Sequence, residues 1–347
     1  VGDIFLVKYN AFGTVLWARN EGGTNDDIGY SVVSDASGNI YMTGYFSYDT
    51  ITVGPYTLPN AGSIDMLVVK YDSGGNVLWA KKGGGTSDDR SSSVAVDASG
   101  NVFVTGNFSS PVISFDSLTL TNSGVVDMFI VKYDENGNAI WANNAVGTYS
   151  DQGNSVASEA SGNTIVTGLF NSPSITFGTY TLTNSGNDDI FLVRYDSDGN
   201  AIWAEAIGGA QPDYGFSITM NSSGDAVVTG SFSSPEITFG SDTLLNPGNF
   251  PVFIAKAKWI YTGIDEAEIS SKISVYPNPA TEIITIKVPE GNTKVRIKIE
   301  NIDGVEIMQK EIFESKVTMG IGDLPRGLYF IRIMSENGMQ VAKFIKQ

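Results

Sequence analysis

The chain has 347 residues, a formal net charge of −17, and neither cysteine nor histidine. This composition excludes disulfides, thiolate nucleophiles and zinc–thiolate sites, and it removes the commonest general base and transition-metal ligand. The acidic excess argues against nucleic-acid binding, which needs clustered lysine and arginine. Any catalysis would have to use carboxylates, tyrosine, lysine or serine.

The charge is unevenly distributed along the chain. Residues 1–269 hold 10 Lys and Arg against 29 Asp and Glu, a net charge of −19, whereas residues 270–347 hold 11 against 9, a net charge of +2. Two compositions indicate two modules. We predict a repeat domain over 1–259, a linker over 260–272 and a small domain over 273–347. No apolar run approaches the roughly 20 residues that span a bilayer, so we predict no transmembrane segment.

The first domain is built from a repeat of 62 residues. An aspartate, a tryptophan and a Thr-Gly pair each recur at this interval. They are Asp3, Asp65, Asp127 and Asp189; Trp17, Trp79, Trp141 and Trp203; and the pairs that begin at Thr43, Thr105, Thr167 and Thr229. A fixed period indicates one supersecondary unit copied in tandem, which buries its apolar faces only against its neighbours.

Each copy contains four short runs rich in β-branched and aromatic residues. In the second copy they are MLVVKY, NVLWAK, SSVAVD and NVFVTGNF, and Asp-Gly-Asn turns such as 72–76 and 97–101 join them into hairpins. Runs such as Phe5–Val7 are apolar on successive residues, which indicates a sheet covered on both faces. Four-stranded antiparallel sheets stacked around an axis meet that requirement, so we predict an all-β fold, a β-propeller.

An extra hairpin lengthens every copy. It begins at equivalent isoleucines, which are Ile51, Ile113, Ile175 and Ile237. This insertion explains why the period exceeds the about 40 to 50 residues of common propeller repeats.

The segment SVAVDASGNVFVTG resembles the inner strand pair of NHL-type repeats, and the whole unit resembles the bacterial β-propeller repeat with its GG…DD…GN…TG pattern. The resemblance implies that SVAVD is the innermost strand, followed by NVFVTGNF, DMFIVKY and the outermost AIWAN. Residues 3–19 would then supply only the outer pair of a first blade, and residues 215–258 three strands of a last one. We therefore expect further strands upstream of Val1 that close the ring; a compact four-bladed arrangement is the alternative.

The tail predicts a small, Ig-like β-sandwich over 273–347. Charged residues at 294, 296, 298 and 300 alternate with Val295, Ile297 and Ile299, and this period of two is typical of a half-buried strand. Similar runs occupy 283–288, 306–312, 328–334 and 341–345. Asn337 and Gly338 predict a hairpin turn.

The same tail resembles the type A C-terminal sorting domain of cargo of the type IX secretion system. The matching positions are Tyr276, Pro277, Asn278, Pro279, Gly304, Leu324, Gly327, Tyr329, Gly338, Lys343 and Lys346. The resemblance implies a secreted or cell-surface protein of a Gram-negative bacterium, exported through the periplasm and an outer-membrane translocon. A shuttle barrel would capture the domain, and a sortase would remove it and attach the cargo to a surface lipid or release it. Taken singly, the prolines could protect an edge strand and Gly327 could form a turn.

A second recurring set of aspartates precedes the innermost strand: Asp27, Asp89, Asp151 and Asp213. They could form a carboxylate ring near the channel mouth that holds calcium or attracts a cationic ligand. We favour the alternative that each accepts backbone N–H groups in its own loop between blades, because a catalytic site needs different groups that converge on one point. We therefore predict no catalytic residue and no resident metal or cofactor, with calcium as the one ion these positions could hold.

Other residues have two interpretations. Residues 196–200 (DSDGN) could be a calcium loop, but they lack its later ligands, so we predict a turn. The tryptophans could be sugar platforms, although packing between blades is favoured. We expect the residues that close the third strand of each copy, Lys8, Lys70, Lys132 and Arg194, to face solvent or to pair with acidic neighbours. Residues that break the repeat lie on or near loops where ligands approach, namely Arg90, Tyr149, Glu159, Glu205 and Gln211–Pro212.

Three functions fit this sequence. The preferred one is a non-enzymatic propeller for adhesion or for binding of a glycan or protein ligand at the cell surface, since the repeats are uniform. The second is a carboxylate-dependent carbohydrate-active enzyme, which would need two inward carboxylates roughly 5 to 10 Å apart. The third is a structural component of a surface layer.

Overall fold

The computed structural model describes residues 2–221, 225–248, 251–257, 274–287, 295–301, 306–335 and 338–347, and these residues form strands, turns and loops without a helix. The chain divides into two compact units, Val1–Trp259 and Ile260–Gln347. The predicted linker over 260–272 lies outside the described residues. In the described part of the chain, no helix is long and apolar enough to cross a membrane.

The strands of the first unit repeat in groups of six. The first eight are β1 (Ile4–Tyr9), β2 (Val15–Glu21), β3 (Ile28–Ser34), β4 (Ile40–Ser47), β5 (Thr50–Val53), β6 (Tyr56–Pro59), β7 (Ile64–Tyr71) and β8 (Val77–Gly83). The next six are β9 (Asp89–Val96), β10 (Val102–Phe108), β11 (Val112–Phe115), β12 (Leu118–Thr121), β13 (Asp127–Tyr133) and β14 (Ala139–Asn144). The last eleven are β15 (Asp151–Ser158), β16 (Thr164–Phe170), β17 (Ser174–Phe177), β18 (Tyr180–Thr183), β19 (Asp189–Tyr195), β20 (Ala201–Ile207), β21 (Asp213–Met220), β22 (Ala226–Phe232), β23 (Glu236–Phe239), β24 (Asp242–Leu245) and β25 (Val252–Ala257).

These strands form five antiparallel sheets, which correspond to propeller blades. The second, third and fourth sheets have four strands each, in the orders β3-β4-β7-β8, β9-β10-β13-β14 and β15-β16-β19-β20. The first sheet contains β1 and β2, and the fifth contains β21, β22 and β25. The strand order implied by the repeat resemblance is confirmed. The inserted hairpins β5-β6, β11-β12, β17-β18 and β23-β24 form separate two-stranded sheets, as predicted.

The core of the first unit lies between consecutive sheets. On β13, Met128 and Ile130 pack against Phe191 and other residues of the fourth sheet. The intervening Phe129 and Val131 face the opposite way and pack against the second sheet. Because side chains alternate along a strand, a sheet covered on both faces needs apolar residues at successive positions. The apolar runs of the sequence are therefore explained by stacking.

Polar side chains also join each sheet to the next. Trp79 Nε1 and Lys70 Nζ, from the second sheet, both donate to the carbonyl oxygen of Glu135 in the third, at 3.0 Å each. The same bonds recur one repeat earlier and one later, from Trp17 and Lys8 to Ser73 and from Trp141 and Lys132 to Ser197. Lys70 and Lys132 are buried, so our expectation that they face solvent or pair with acidic neighbours is wrong. A main-chain carbonyl of the next sheet satisfies them instead.

The second unit is a β-sandwich. Its strands are β26 (Ser274–Tyr276), β27 (Ile283–Lys287), β28 (Val295–Glu300), β29 (Glu306–Ile312), β30 (Lys316–Gly320), β31 (Gly327–Ser335) and β32 (Gly338–Lys346). One sheet has the order β26-β27-β30 and the other β29-β28-β31-β32. Ile284 and Ile286 of the first sheet share one apolar core with Ile297 and Ile331 of the second. Inward apolar and outward polar residues alternate, as the tail sequence predicts.

Candidate functional site

The recurring aspartates lie at or immediately before the start of the innermost strands, where they are buried and bond to the adjoining loops. Asp89 accepts hydrogen bonds from the backbone N–H of Gly85 at 2.7 Å and from the Ser110 hydroxyl at 2.7 Å. The other three aspartates also accept hydrogen bonds from nearby loops. Asp27 accepts from the backbone N–H groups of Gly23 and Ser47. Asp151 accepts from the backbone N–H groups of Asn171 and Ser172 and the Ser172 hydroxyl, and Asp213 from the backbone N–H groups of Gly209, Ser233 and Ser234 and the Ser234 hydroxyl. This geometry matches the interpretation that we favoured, in which each carboxylate holds a loop.

A second buried aspartate lies near three of these, namely Asp65 near Asp89, Asp127 near Asp151 and Asp189 near Asp213. Asp65, at the start of the third strand of its sheet, accepts from Lys82 Nζ at 2.8 Å, and its negative charge raises the pKa of Asp89. Burial is the larger cause, and it raises the pKa of Asp89 to about 6 although the bonds from Ser110 and Gly85 lower it. Burial also raises the pKa values of Asp27, Asp65, Asp127, Asp151 and Asp189. The sequence shows the Asp65 set only as a marker of the period.

The third-strand aspartates each keep one unpaired oxygen. The Oδ1 atoms of Asp65, Asp127 and Asp189 are buried and have no hydrogen-bond partner. Ideal Cβ atoms built on the neighbouring Gly84 and Gly208 would lie 2.2 and 2.3 Å from the Oδ1 atoms of Asp65 and Asp189, so these glycines are required by close approach. Within the described ranges, no group of three or more acidic residues could hold a metal ion. The structure thus does not bring the recurring aspartates together into one such group.

The DSDGN segment at 196–200 is a turn between β19 and β20. Asp196 Oδ1 accepts from the backbone N–H of Asp198 at 3.0 Å and of Asn200 at 2.8 Å. The same bonds form around Asp72 and Asp134 in the earlier sheets. Hydrogen bonds from Asn76 lower the pKa of Asp72, and those from Asn138 outweigh burial to lower the pKa of Asp134. The carboxylates therefore bind their own turn.

The residues that break the repeat are spread over several elements. Arg90 of β9 pairs with Asp88 at 2.9 Å and lies over the Tyr45 ring. Glu159, in the turn after β15, pairs with Arg194. The remaining three lie elsewhere: Tyr149 is exposed on a loop, Glu205 lies in β20 where burial raises its pKa, and the backbone N–H of Gln211 donates to Ser234. Each of these contacts is made with a residue nearby in the fold, and none joins two of the residues that break the repeat.

A cavity of about 230 Å³ lies between the outer edges of the third and fourth sheets. Its lining residues are Asn143, Asn144, Gly178, Thr179, Tyr195, Gly199, Asn200 and Ala201. None of these carries a formal charge at neutral pH, and three are asparagines. Gly199 and Asn200 belong to the predicted turn at 196–200, whereas no motif pointed to the other lining residues. The signal was present, because Asn143 and Asn144 stand where the preceding copy has Lys81 and Lys82.

The sorting-motif residues of the tail gather at the last strand. Asn278 Oδ1 accepts from the backbone N–H of Ile345 at 2.9 Å, and its Nδ2 donates to the carbonyl of Lys343 at 3.2 Å. Pro277 and Pro279 flank this asparagine, and Gly327 pairs with Lys346 in the β31–β32 ladder. The YPNP segment therefore holds β32 by its main chain.

Aromatic packing fixes the neighbouring part of the motif. The Tyr329 ring stacks on Phe344 with centroids 5.4 Å apart, and its hydroxyl donates to the Pro325 carbonyl at 2.9 Å. The backbone N–H of Leu324 closes the preceding turn on Ile321, and Lys316 Nζ lies 5.9 Å from the Tyr276 ring. Gly338 pairs with Ser335 at the start of β32. Gly304 and Asn337 lie outside the described residues.

Residues 274–347 match the model of Por_Secre_tail, the secretion system C-terminal sorting domain. The resemblance predicted from the tail is confirmed. The domain marks this protein for export by the type IX system to the cell surface or the extracellular space.

The chain is similar to parts of longer proteins. An uncharacterized WD repeat-containing protein of Acanthamoeba polyphaga mimivirus is 26% identical over 320 residues, covering 73% of this chain and 23% of that protein. The regulatory protein FlaEY of Caulobacter vibrioides is 29% identical over 252 residues, covering 67% of this chain and 26% of its own. The chain thus spans about a quarter of the length of these curated relatives.

Two solved structures were also similar at low scores. One is PorZ, a surface component of the type IX secretion system of Porphyromonas gingivalis. The match covers 98% of this chain and 48% of the PorZ chain, with 12% identity and a TM-score of 0.23. A glycoside hydrolase of family 32 from Bifidobacterium adolescentis covers 96% and 69%, with 9% identity and a TM-score of 0.27. These TM-scores are too low to carry an argument about fold or activity.

Proposed function

We propose that the repeat domain is a non-enzymatic binding module that adheres to a glycan or protein ligand outside the cell. The observation that carries this proposal is that the recurring carboxylates hydrogen-bond to loops of the repeat domain itself. Asp89 and its equivalents are buried and bonded to their own loops. A group repeated identically at every junction serves the fold, whereas binding surfaces form on the loops and edges that a rigid scaffold presents.

The geometry gives less support to a carbohydrate-active enzyme. Such an enzyme needs two carboxylates roughly 5 to 10 Å apart that both reach the substrate. Asp65 and Asp89 come from neighbouring sheets and interact, but both side chains are inaccessible to solvent. A substrate would have to open a blade junction to reach them. Glycan arrays that show turnover rather than retention of a sugar would favour the enzyme.

The partners of the tail follow from its sorting role. We propose that the outer-membrane translocon, the shuttle barrel and the sortase recognise the sandwich and that the repeat domain travels as cargo. The four-stranded sheet ends in β29 on one side and in β32 on the other, where Asn278 and Ala280 already bond to the edge at 343–347. Extended edges such as β29 are a common mode of protein docking. The YPNP segment lies against β32, so the motif and the β32 edge form one surface.

Export is tested in a bacterium that has a type IX system. Full-length chain should reach the cell surface, and a chain without residues 273–347 should remain in the periplasm. Asn278→Ala removes both bonds to β32 and should reduce display, while Asn136→Ala, at an exposed turn of the repeat domain, should not. Surface protease accessibility provides the measurement. Undiminished display of the truncated chain would refute the sorting role.

Binding is tested with the full-length protein on glycan and protein arrays, with and without calcium. Retention of a ligand without chemical change supports the binding module, and calcium dependence would point to a bound ion. A chain that retains no ligand and forms ordered assemblies in sedimentation experiments would instead support a structural component of a surface layer.

A further inference from the structure

The cavity between the third and fourth sheets lies at a junction where the residues of the repeat change. Its volume of about 230 Å³ lies below the about 300 to 1,000 Å³ of pockets for drug-sized ligands. The cavity is thus large enough for one small ring and too small for an extended ligand. Its walls come from β14, the β17–β18 turn and the β19–β20 turn, so three elements of a rigid stack define its shape.

At the preceding junction, an ion pair occupies the equivalent position. Lys81 corresponds to Asn143, and Asp116 corresponds to Gly178. Lys81 Nζ lies 3.2 Å from Asp116 Oδ1 and bridges the gap between the second and third sheets. One junction earlier, the long side chain of Arg19 reaches across to the next turn and donates to Gly75 at 2.8 Å. Short side chains at the third junction leave this space open.

The lining groups offer both donors and acceptors. Asn143 Nδ2 donates to the Gly199 carbonyl at 2.8 Å, and Asn144 Nδ2 donates to the Thr121 carbonyl at 3.0 Å. The protein thus uses the amide nitrogens to fix the two side chains, and their carbonyl oxygens accept no hydrogen bond from the part of the chain that the structure describes. Thr179 adds a hydroxyl. Fixed acceptors beside a hydroxyl match a ligand that carries several hydroxyl groups.

Tyr195 belongs to the cavity wall but does not distinguish it. Its buried hydroxyl has no hydrogen-bond partner, and the equivalent hydroxyls of Tyr71 and Tyr133 have none either. Burial raises the pKa of Tyr195, so the hydroxyl stays protonated. The tyrosine therefore has the same packing role in every copy. Glycine also occupies the position of Gly178 at Gly54 and Gly240, so the asparagine pair is what is particular to this junction.

The geometry points to a subsite for one neutral sugar residue of a glycan, and this inference rests on the proposed binding function. No lysine, arginine, aspartate or glutamate lines the cavity, so a phosphate, sulfate or cationic ligand would find no opposite charge there. A sugar ring supplies hydroxyl donors for the asparagine oxygens and acceptors for the threonine hydroxyl. Water alone is the competing occupant, because polar cavities of this kind hold ordered water.

The test introduces into the cavity the ion pair that Lys81 and Asp116 form at the preceding junction. Asn143→Lys combined with Gly178→Asp copies Lys81 and Asp116. The backbone accepts the aspartate, because Asp116 has a φ of 51° and Gly178 one of 58°. The matched control is Glu205→Lys with Gly240→Asp, which makes the same introductions one repeat later, where Gly240 also has a φ of 58°.

Binding to the full-length protein is measured by saturation-transfer NMR and calorimetry with methyl glycosides of neutral hexoses and N-acetylhexosamines. We expect at least one glycoside to bind, the cavity-filled variant to lose about tenfold or more in affinity, and the control variant to match the unmodified protein. Circular dichroism checks that both variants fold. No binding of any glycoside, or equal binding by the cavity-filled variant, would overturn the subsite and leave water as the occupant.

The array experiment separates this inference from the proposed function. Ligand retention on arrays that is unaffected by the cavity-filled variant would keep the binding module and overturn the subsite. An absence of any retained ligand would overturn the binding module itself.

Discussion

Equivalent strand positions are buried in the middle of the repeat domain and exposed at its two ends. Val32 in the second sheet is 57% exposed, whereas its three equivalents Val94, Val156 and Ile218 are each 5% exposed. At the other end, Ile254 in the fifth sheet is 75% exposed, and Ile130 in the third is fully buried. The strands themselves are alike in sequence, although in the described part of the chain β25 pairs with β22 alone whereas β13 pairs on both sides. Burial is therefore supplied by the neighbouring sheet, which is complete for Ile130 and, among the residues that the structure describes, incomplete or absent beside the end positions.

The largest expected difference in stability is between alanine substitutions of Phe129 and Phe5, which occupy equivalent positions of the third and first sheets. Phe129→Ala should lower the free energy of unfolding by about 3 to 5 kcal/mol, because it leaves a cavity between the second and third sheets. Phe5→Ala, at the equivalent position of the first sheet, should change it by less than about 0.5 kcal/mol, since Phe5 is 78% exposed. Urea unfolding followed by tryptophan fluorescence measures both. Equal losses would show that the face of the first sheet is covered in solution.

Valine in the innermost strand gives a smaller contrast of the same kind. Val156→Ala should cost about 2 kcal/mol, for two buried carbon groups and the space they leave. Val32→Ala should be nearly neutral because Val32 is already exposed to solvent. The same urea titrations provide the measurement, and a loss for Val32→Ala as large as for Val156→Ala would be inconsistent with an exposed end.

The pH dependence of a buried aspartate gives a test of another kind, because it follows a carboxyl group at a junction between sheets rather than an apolar side chain. Asp89 has a pKa of about 6 in the folded chain against an ordinary value of 3.8, so the folded state binds this proton more tightly. Its contribution to stability is fully present below pH 3.8 and is lost as the pH rises through 6. Asp89→Asn should therefore flatten the decline in unfolding free energy over this interval. Identical pH profiles for the two proteins would contradict a raised pKa.

The sequence was sufficient for the architecture of the repeat domain, because period and apolarity are carried by the residues that pack. Phe129 and Ile130 are neighbours in the chain and face opposite sheets, as a doubly covered strand requires. The tail was recognisable for a related reason. The YPNP segment meets the last strand through specific side-chain bonds, so its residue types are fixed.

Other features could not be predicted because they depend on distances between sheets. Lys70 donates to the main-chain carbonyl of Glu135 in the third sheet. Because every residue has a main-chain carbonyl, the sequence does not show which one accepts this bond. The cavity exists because Asn143 and Gly178 are shorter than Lys81 and Asp116, and those positions meet only when two sheets stack. In the sequence, the cavity is indicated by residues that differ from the equivalent residues of another copy. Such a single difference is a weaker signal than a residue that recurs in every copy.

Thiol labelling tests the central claim most directly, because the chain contains no cysteine and a single introduced one is an unambiguous probe. Ile130→Cys and Ile254→Cys place it at equivalent positions of the third and fifth sheets. If neighbouring sheets supply the burial, a thiol at 254 should react with a thiol reagent as fast as a free cysteine, and one at 130 should react only when the protein unfolds. Equal rates at the two positions in the native protein would contradict the account.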